Sequence, residues 1–351
     1  MSISSALLAA QGRVADSYTA VSNKGGTLPA TQNLTNLATA ISSIPSGSTS
    51  EKYGATVDTF LGNINNGILQ KPSGGQKVLV FTGVTNLAQE ALYYCFAYNQ
   101  AIKSASFPDL TSITTAYALA YCFHDSSIQS AYFPELISIN GTYSAQYAFS
   151  DSILQTISLP KLTLLSQCPH MFSDSSLSGE FVLPSLTTLT DNNGYLCDNC
   201  VDITSVSLPE LATAGNCQYM FHNDYKITSF SMPKLTEISN FQYGLSVSST
   251  NKNKTVLTSV SFPSLSLLKS SYSFRYAFQY RLALTDIYFP ALTSSSFGSA
   301  TNHFNSMLRY VVGCTVHFPS NLQSVIGSWS DVTSGFGGTS TTVLFDLPAT
   351  S

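Results

Sequence analysis

One short phrase returns nine times in this chain and narrows its possible folds more than anything else in it: an apolar residue, then proline, then usually any residue and leucine. The copies are Phe107-Pro108-Asp109-Leu110, Phe133-Pro134-Glu135-Leu136, Leu159-Pro160-Lys161-Leu162, Leu183-Pro184-Ser185-Leu186, Leu208-Pro209-Glu210-Leu211, Met232-Pro233-Lys234-Leu235, Phe262-Pro263-Ser264-Leu265, Phe289-Pro290-Ala291-Leu292 and Phe318-Pro319. The prolines are 26, 26, 24, 25, 24, 30, 27 and 29 residues apart. A period of this size belongs to a solenoid, in which each coil buries its face only against its neighbours. Most enzyme folds are excluded at once, and function is left to the surface.

The residues before each proline alternate. Three before it stand Ala105, Ala131, Ile157, Phe181, Val206, Phe230, Val260, Ile287 and Val316. Two before it stand Ser106, Tyr132, Ser158, Val182, Ser207, Ser231, Ser261, Tyr288 and His317. Period-two alternation is the sign of a half-buried strand. Proline ends the strand because it has no N–H to give the ladder. Each coil is expected to give one short strand to a parallel sheet. Nine strands spaced at roughly 4.8 Å make a ladder about 40 Å long.

A second phrase fills the rest of the coil. It reads Tyr94-Cys95-Phe96, Tyr121-Cys122-Phe123, Tyr147-Ala148-Phe149, His170-Met171-Phe172, Tyr195-Leu196-Cys197, Tyr219-Met220-Phe221 and Tyr276-Ala277-Phe278. Its last residue precedes the next proline by 11 or 12 positions, so the two halves of a coil are rigidly phased. We expect a short helical or 3₁₀ turn with the Phe in the core, Cys197 taking that slot once. Asp125, Asp151, Asp174, Asn199 and Asn223 follow two residues later, where their side chains suit a bend. Each coil supplies one or two carboxylates and no cage, which argues against calcium.

The pattern resembles the BspA-type leucine-rich repeats of bacterial surface and phage proteins. The carrying residues are Ile203-Thr204-Ser205-Val206-Ser207-Leu208-Pro209, Ile227-Thr228-Ser229-Phe230-Ser231-Met232-Pro233 and Leu257-Thr258-Ser259-Val260-Ser261-Phe262-Pro263. The resemblance covers residues 78–319 and implies a leucine-rich-repeat solenoid. One face would be a parallel β-sheet, the other short helical or 3₁₀ turns, with a small α-helical module at the N-terminus. The regular Asn/Cys ladder of the eukaryotic repeat is absent. Residues Ser239–Lys254 lengthen one coil, as a loop would.

Charged residues make up only 10% of the chain and the net charge is −4, with no basic stripe. Nucleic acid is therefore not the expected partner. Solubility rests on Ser, Thr, Asn, Gln and Tyr. There is no apolar run of about 18 residues that could span a membrane. The opening Met1-Ser2-Ile3-Ser4-Ser5-Ala6-Leu7-Leu8-Ala9-Ala10 lacks a basic segment before its apolar one, so it reads poorly as a signal peptide. Seven cysteines are an odd number. Cys95 and Cys122 share a slot beside the core Phe, where a free thiol acts as a small hydrophobe. Cys197 and Cys200 form a single C-x-x-C without a second pair, a weak zinc signal. Structural thiols suit folding in a reducing cytoplasm, and no metal or cofactor is expected.

Residues 1–50 lie outside the repeat. Leu7, Leu8, Val14 and Tyr18 have the spacing of one helical face, and Lys24-Gly25-Gly26 is expected to end that helix. Leu34, Leu37 and Ile41 are expected to form the apolar face of a second short helix. Two helices this small cannot build a core alone, so they are expected to dock on a partner, on copies of themselves, or back on the first coil. The segment is similar to a module that opens many phage and prophage tail-associated proteins, carried by Lys24-Gly25-Gly26-Thr27-Leu28-Pro29 and residues 33–45. Residues 51–77 resemble the connector beside it. The likeness implies attachment to a virion through residues 1–50, to other virion proteins and as a homo-oligomer. Residues 320–351 break the period and are expected to cap the last coil, with a short helix at Leu322, Val325, Ile326 and Trp329, a turn at Gly335-Phe336-Gly337-Gly338, a strand at Thr341–Leu347, and Trp329 in the cap core.

The five histidines stand in no spacing that suggests a catalytic triad or a metal site. Glu180 and Asp286 share a strand column four coils apart, roughly 20 Å, beyond the ~5–9.5 Å of glycosidase carboxylates. The exposed strand face is the candidate binding surface: Ser106, Tyr132, Ser158, Ser207, Ser231, Ser261, Tyr288 and His317. Its hydroxyls and flat rings suit a host-surface receptor or glycan. The turn-side tyrosines, Tyr93, Tyr98, Tyr117, Tyr143, Tyr272 and Tyr280, offer an alternative surface. The leading expectation is a non-enzymatic phage tail or fibre protein, resident in the virion after assembly in the host bacterial cytoplasm. A bacterial cell-surface adhesin and a purely architectural virion protein are the alternatives.

Overall fold

A computed structural model describes residues 52–55, 78–81 and 83–350. The attachment residues Leu7, Leu8, Val14, Tyr18, Leu34, Leu37 and Ile41 lie outside the described residues. The rest is one right-through stack of coils, and the phase read from the prolines is the phase of the stack. Ser104–Ser106 pairs in parallel with Ser130–Tyr132, and that strand with Thr156–Ser158. The register matches Ser106 to Tyr132 and Tyr132 to Ser158. Further along, Asp286–Tyr288 pairs with Thr315–Pro319, matching Tyr288 to His317. The candidate residues fall into three in-register groups: Ser106, Tyr132 and Ser158; Ser207 and Ser231; and Ser261, Tyr288 and His317.

The ladder is longer than nine strands. Val78–Phe81 pairs with Ser104–Ser106, and the backbone of Lys52–Ala55 pairs with Val78–Phe81, inside the stretch expected to be a connector. At the other end Thr342–Leu347 pairs in parallel with Thr315–Pro319. The strand expected at Thr341–Leu347 in the capping segment thus adds one more rung, and Phe345 stacks on Phe318. Two short helices, Gln323–Ile326 and Ser330–Thr333, connect them, and Trp329 meets Phe297 edge-on at 5.0 Å.

Seven of the coils make two strands, not one. After Pro-x-Leu the chain extends again, and the segments Ser112–Ile113, Ser138–Ile139, Leu164–Ser166, Thr188–Asn192, Thr213–Asn216, Glu237–Asn240 and Leu267–Leu268 form a second, seven-stranded parallel sheet. The apolar residue three places after the Leu is buried in each: Ile113, Ile139, Leu165, Leu189, Ala214, Ile238 and Leu268. Where a threonine follows the Leu, as at Thr111, Thr163, Thr187 and Thr236, its hydroxyl ties the coil to the one before. Thr111 donates its hydroxyl to the Thr85 carbonyl at 3.0 Å, and Thr187 to the Thr163 carbonyl at 3.0 Å. The few charges are used the same way. Lys161 pairs with Glu135, Lys226 with Asp202 and Lys234 with Glu210, each at 2.6 Å across one coil step.

The third wall is not the helical or 3₁₀ turn expected. Alternate amides there point in different directions. Leu92, Tyr94, Phe96 and Tyr98 donate to carbonyls of the next coil, whereas Cys95 and Ala97 donate three residues back. The backbone becomes left-handed at every fourth residue: Tyr117, Tyr121 and Asp125 in one coil, Tyr143, Tyr147 and Asp151 in the next. Helical φ/ψ would send every amide up its own chain. Here half of them serve the neighbouring coil, so all three walls are inter-coil ladders. Such left-handed residues are costly for tyrosine, on the order of 1–2 kcal/mol each. The inter-coil bonds hold them there.

Inside, phenylalanines stack in files. Phe81, Phe107 and Phe133 lie 4.2 and 4.7 Å apart; Phe96, Phe123, Phe149 and Phe172 lie 5.3–5.9 Å apart. The Ser239–Lys254 insertion is bridged by Arg281. This side chain is wholly buried, donating Nε to the Leu245 carbonyl and Nη2 to the Asp224 carbonyl at 3.0 Å.

Candidate functional site

The sequence-predicted face is the outer side of the pre-proline strands. Tyr132, Ser231 and Ser261 are exposed, and Ser106, Ser158, Ser207, Tyr288 and His317 are half-buried. Tyr288 lies flat on His317, rings 4.4 Å apart. His317 is further held between Asp286 at 3.3 Å and Asp346 at 3.0 Å. The C-terminal end of the column is therefore fastened by its own neighbours. The serines differ. Among the described residues, the hydroxyls of Ser106, Ser158, Ser207, Ser231 and Ser261 have no protein partner, unlike the threonines that tie coils together. They stand open to a ligand.

The ladder on this face parts at two places, after Thr156–Ser158 and after Ser229–Ser231. At the first, Gly179 is left-handed with φ 74° and turns the strand Ser178–Val182 away. Ser178 still donates to the Gln155 carbonyl at 3.3 Å. Phe133 donates to the Ser158 carbonyl and Leu183 to the Ser207 carbonyl, but Leu159 makes no such bond among the described residues. The result is a gap in the strand face, lined by Gln155, Thr156, Ile157, Ser178, Glu180 and Val182. Ile157 is half-buried where Ala105 and Ala131, in the same column, are buried. Sequence reading missed this gap; the glycine inside a strand was its one signal.

The turn wall carries a second feature. Tyr94, Tyr121, Tyr147, His170, Tyr195, Tyr219, Tyr243 and Tyr276 form a continuous stack, neighbouring rings 4.4–4.8 Å apart and within 22° of parallel. Tyr243-Gly244-Leu245 supplies a copy of the second phrase not recognised in the sequence; the Leu245 amide donates to the Ala277 carbonyl, as the core Phe does elsewhere. Arg275 and Arg309 sit over the Tyr276 ring at 4.8 and 5.7 Å and close the stack with cations. Burial, together with neighbouring tyrosines, pushes the Tyr121 and Tyr219 hydroxyls up to about 12. Of the alternative surface, Tyr93 and Tyr98 are exposed and Tyr93 packs edge-on against Tyr94 at 4.7 Å. The stack shows ring edges outward, because its faces are consumed by one another.

The remaining groups are occupied by the fold. His222 meets Asp198 at 2.7 Å, and His124 meets Ser150 at 2.7 Å. All seven cysteines are free thiols, six of them buried. Burial raises Cys168, Cys217 and Cys314 to about 12 and Cys95 to about 11. Cys197 and Cys200 are both core residues. Among the described residues, no group of three or more His, Cys, Asp or Glu side chains could hold a metal ion. No described helix is long and apolar enough to cross a membrane.

Short parallel strands stacked with a coil of 24–30 residues, a proline-terminated strand and a leucine-lined core define a leucine-rich-repeat solenoid. Residues 89–217 and 142–258 match, in six copies, the family described as BspA type leucine rich repeat region. The repeats within residues 89–258 match leucine-rich repeats of the BspA type. No curated protein matches the chain.

Proposed function

We propose that this chain is a non-enzymatic recognition protein of a phage tail or fibre. Residues 1–50 attach it to the particle, and the solenoid meets the host surface. The observation that carries the recognition role is the strand face, where regularly spaced hydroxyls have no protein partner and stand outward. A rigid ladder held on three walls presents such a face with little ordering cost on binding. The attachment role is supported by the likeness of residues 24–29 and 33–45 to the opening module of phage tail-associated proteins. Antibody to the chain should label purified particles, and the isolated chain should compete with them for adsorption to host cells. Particles without the chain would overturn the reading.

A bacterial cell-surface adhesin is the second reading. It is favoured by the extent of the matched repeats, which cover far more of the chain than the phage-like segment does. Surface proteolysis of intact bacteria separates the two: the adhesin is cleaved on cells, the tail protein is not.

A further inference from the structure

We infer that the gap between the strands Thr156–Ser158 and Ser178–Val182 is the ligand site of the strand face, and that its ligand is a neutral linear glycan lying along the solenoid axis. The inference rests on the recognition role proposed above and names its site and ligand class.

Three observations carry it. The first is position. The gap opens in the middle of the ladder, in the same column as the unpartnered serines, so a ligand seated there also reaches Ser207 and Ser231 on one side. The second is chemistry. The exposed rim offers an amide from Gln155, hydroxyls from Thr156 and Ser178 and the Glu180 carboxylate, none with a protein partner among the described residues. Glu135, Glu210 and Glu237 each pair with a lysine, whereas Glu180 does not. Beside these groups lie Ile157 and Val182, the latter 40% exposed. Paired hydroxyls next to an apolar patch match a sugar ring, which has polar edges and C–H faces. The third is charge. From Ser104 to His317 the two outward strand columns hold Glu180 and Asp286 but no lysine or arginine. A sulfated, phosphorylated or uronate polymer would be repelled there, so the ligand is neutral.

The repeat of the face sets the ligand's shape. Equivalent side chains recur at each coil, about 4.8 Å apart. A pyranose chain advances by a similar distance per residue, so successive sugars meet successive coils.

The test uses the full chain, titrated calorimetrically with cellohexaose, maltohexaose and chitohexaose, and with a heparin hexasaccharide as the anionic control. At least one neutral hexasaccharide should bind, more tightly than its disaccharide, and heparin should not. Glu180→Gln and Val182→Asp should each weaken binding about tenfold or more with an unchanged melting temperature. Tyr93→Ala, on the turn wall, should leave binding as it was. Neutral glycan binding that survives both gap variants but falls with Tyr93→Ala overturns the site and keeps the recognition role. No glycan binding by a chain that still competes for host adsorption overturns the ligand class and points to a protein receptor. Failure of both binding and competition overturns the recognition role as well.

Discussion

His170 lies flat on Tyr195, ring centroids 4.4 Å apart and planes 10° apart, in the slot that tyrosine holds in the neighbouring coils. Burial holds the imidazole below its usual value of 6.5, against the opposing pull of Asp198 and Asp151. A histidine with a depressed folded-state value is neutral in the fold, while the unfolded chain takes up its proton first on acidification. Its contribution to stability is present above the ordinary histidine value and is lost as pH falls through the folded one. His170→Tyr should remove this component. Denaturation from about pH 7.5 to about pH 5 should show the parent chain losing more stability than the variant. Parallel pH profiles would mean that the ring is not buried in the stack.

Phe149 and Ser207 test which side of the coil is inside. Phe149 is fully buried between Phe123 and Phe172, at 5.3 and 5.9 Å. Phe149→Asp removes a core ring worth about 3–5 kcal/mol and leaves an unpaired charge, so cooperative unfolding should shift to far lower denaturant or vanish. Ser207→Asp, on the outward column, should stay within about 0.5 kcal/mol. Equal shifts in urea titrations would invert the assignment.

Asp224 and Arg281 are both fully buried. Burial raises the Asp224 carboxyl well above its usual range and lowers Arg281 to about 10, while each charge partly restores the other. Arg281→Met should be destabilising, because it leaves the buried Leu245 and Asp224 carbonyls without their donor, at about 1–3 kcal/mol each. The double variant Asp224→Asn/Arg281→Met should recover part of that loss. A double-mutant cycle in urea measures the coupling, and additive effects would show the two to be independent.

The thiols should be sluggish. The thiolate is the reacting form, and burial raises every cysteine for which a direction is resolved. In the native chain an aromatic disulfide reagent should reach Cys95 first, the one thiol that is not buried. The other six should react only as the chain unfolds. Rapid modification of Cys197 or Cys200 at neutral pH would point instead to a redox pair.

The pre-proline strand was legible because three alternating residues and a proline carry a two-residue period and its stop. The second sheet was not, since strands such as Ser112–Ile113 are too short to alternate, leaving only the spacing from Leu110 to Ile113 as a trace. The turn wall misled for a different reason. Tyr121 and Phe123 sit two apart, as core and edge of one turn, and nothing in a tyrosine's chemistry announces a left-handed backbone. The stack itself follows from the tyrosine slot once the coils are known to be in phase. Of the candidate site, the serine column was read directly, while the gap beside Gly179 depends on a backbone bend that one residue introduces.

The left-handed tyrosines carry a consequence for how the molecule fails. Each holds its unfavourable backbone only while an amide reaches the adjoining coil, so no coil can keep this wall by itself. Losing one rung releases the strain of the next, and unfolding should run along the axis like a zip, starting from whichever end is least well covered.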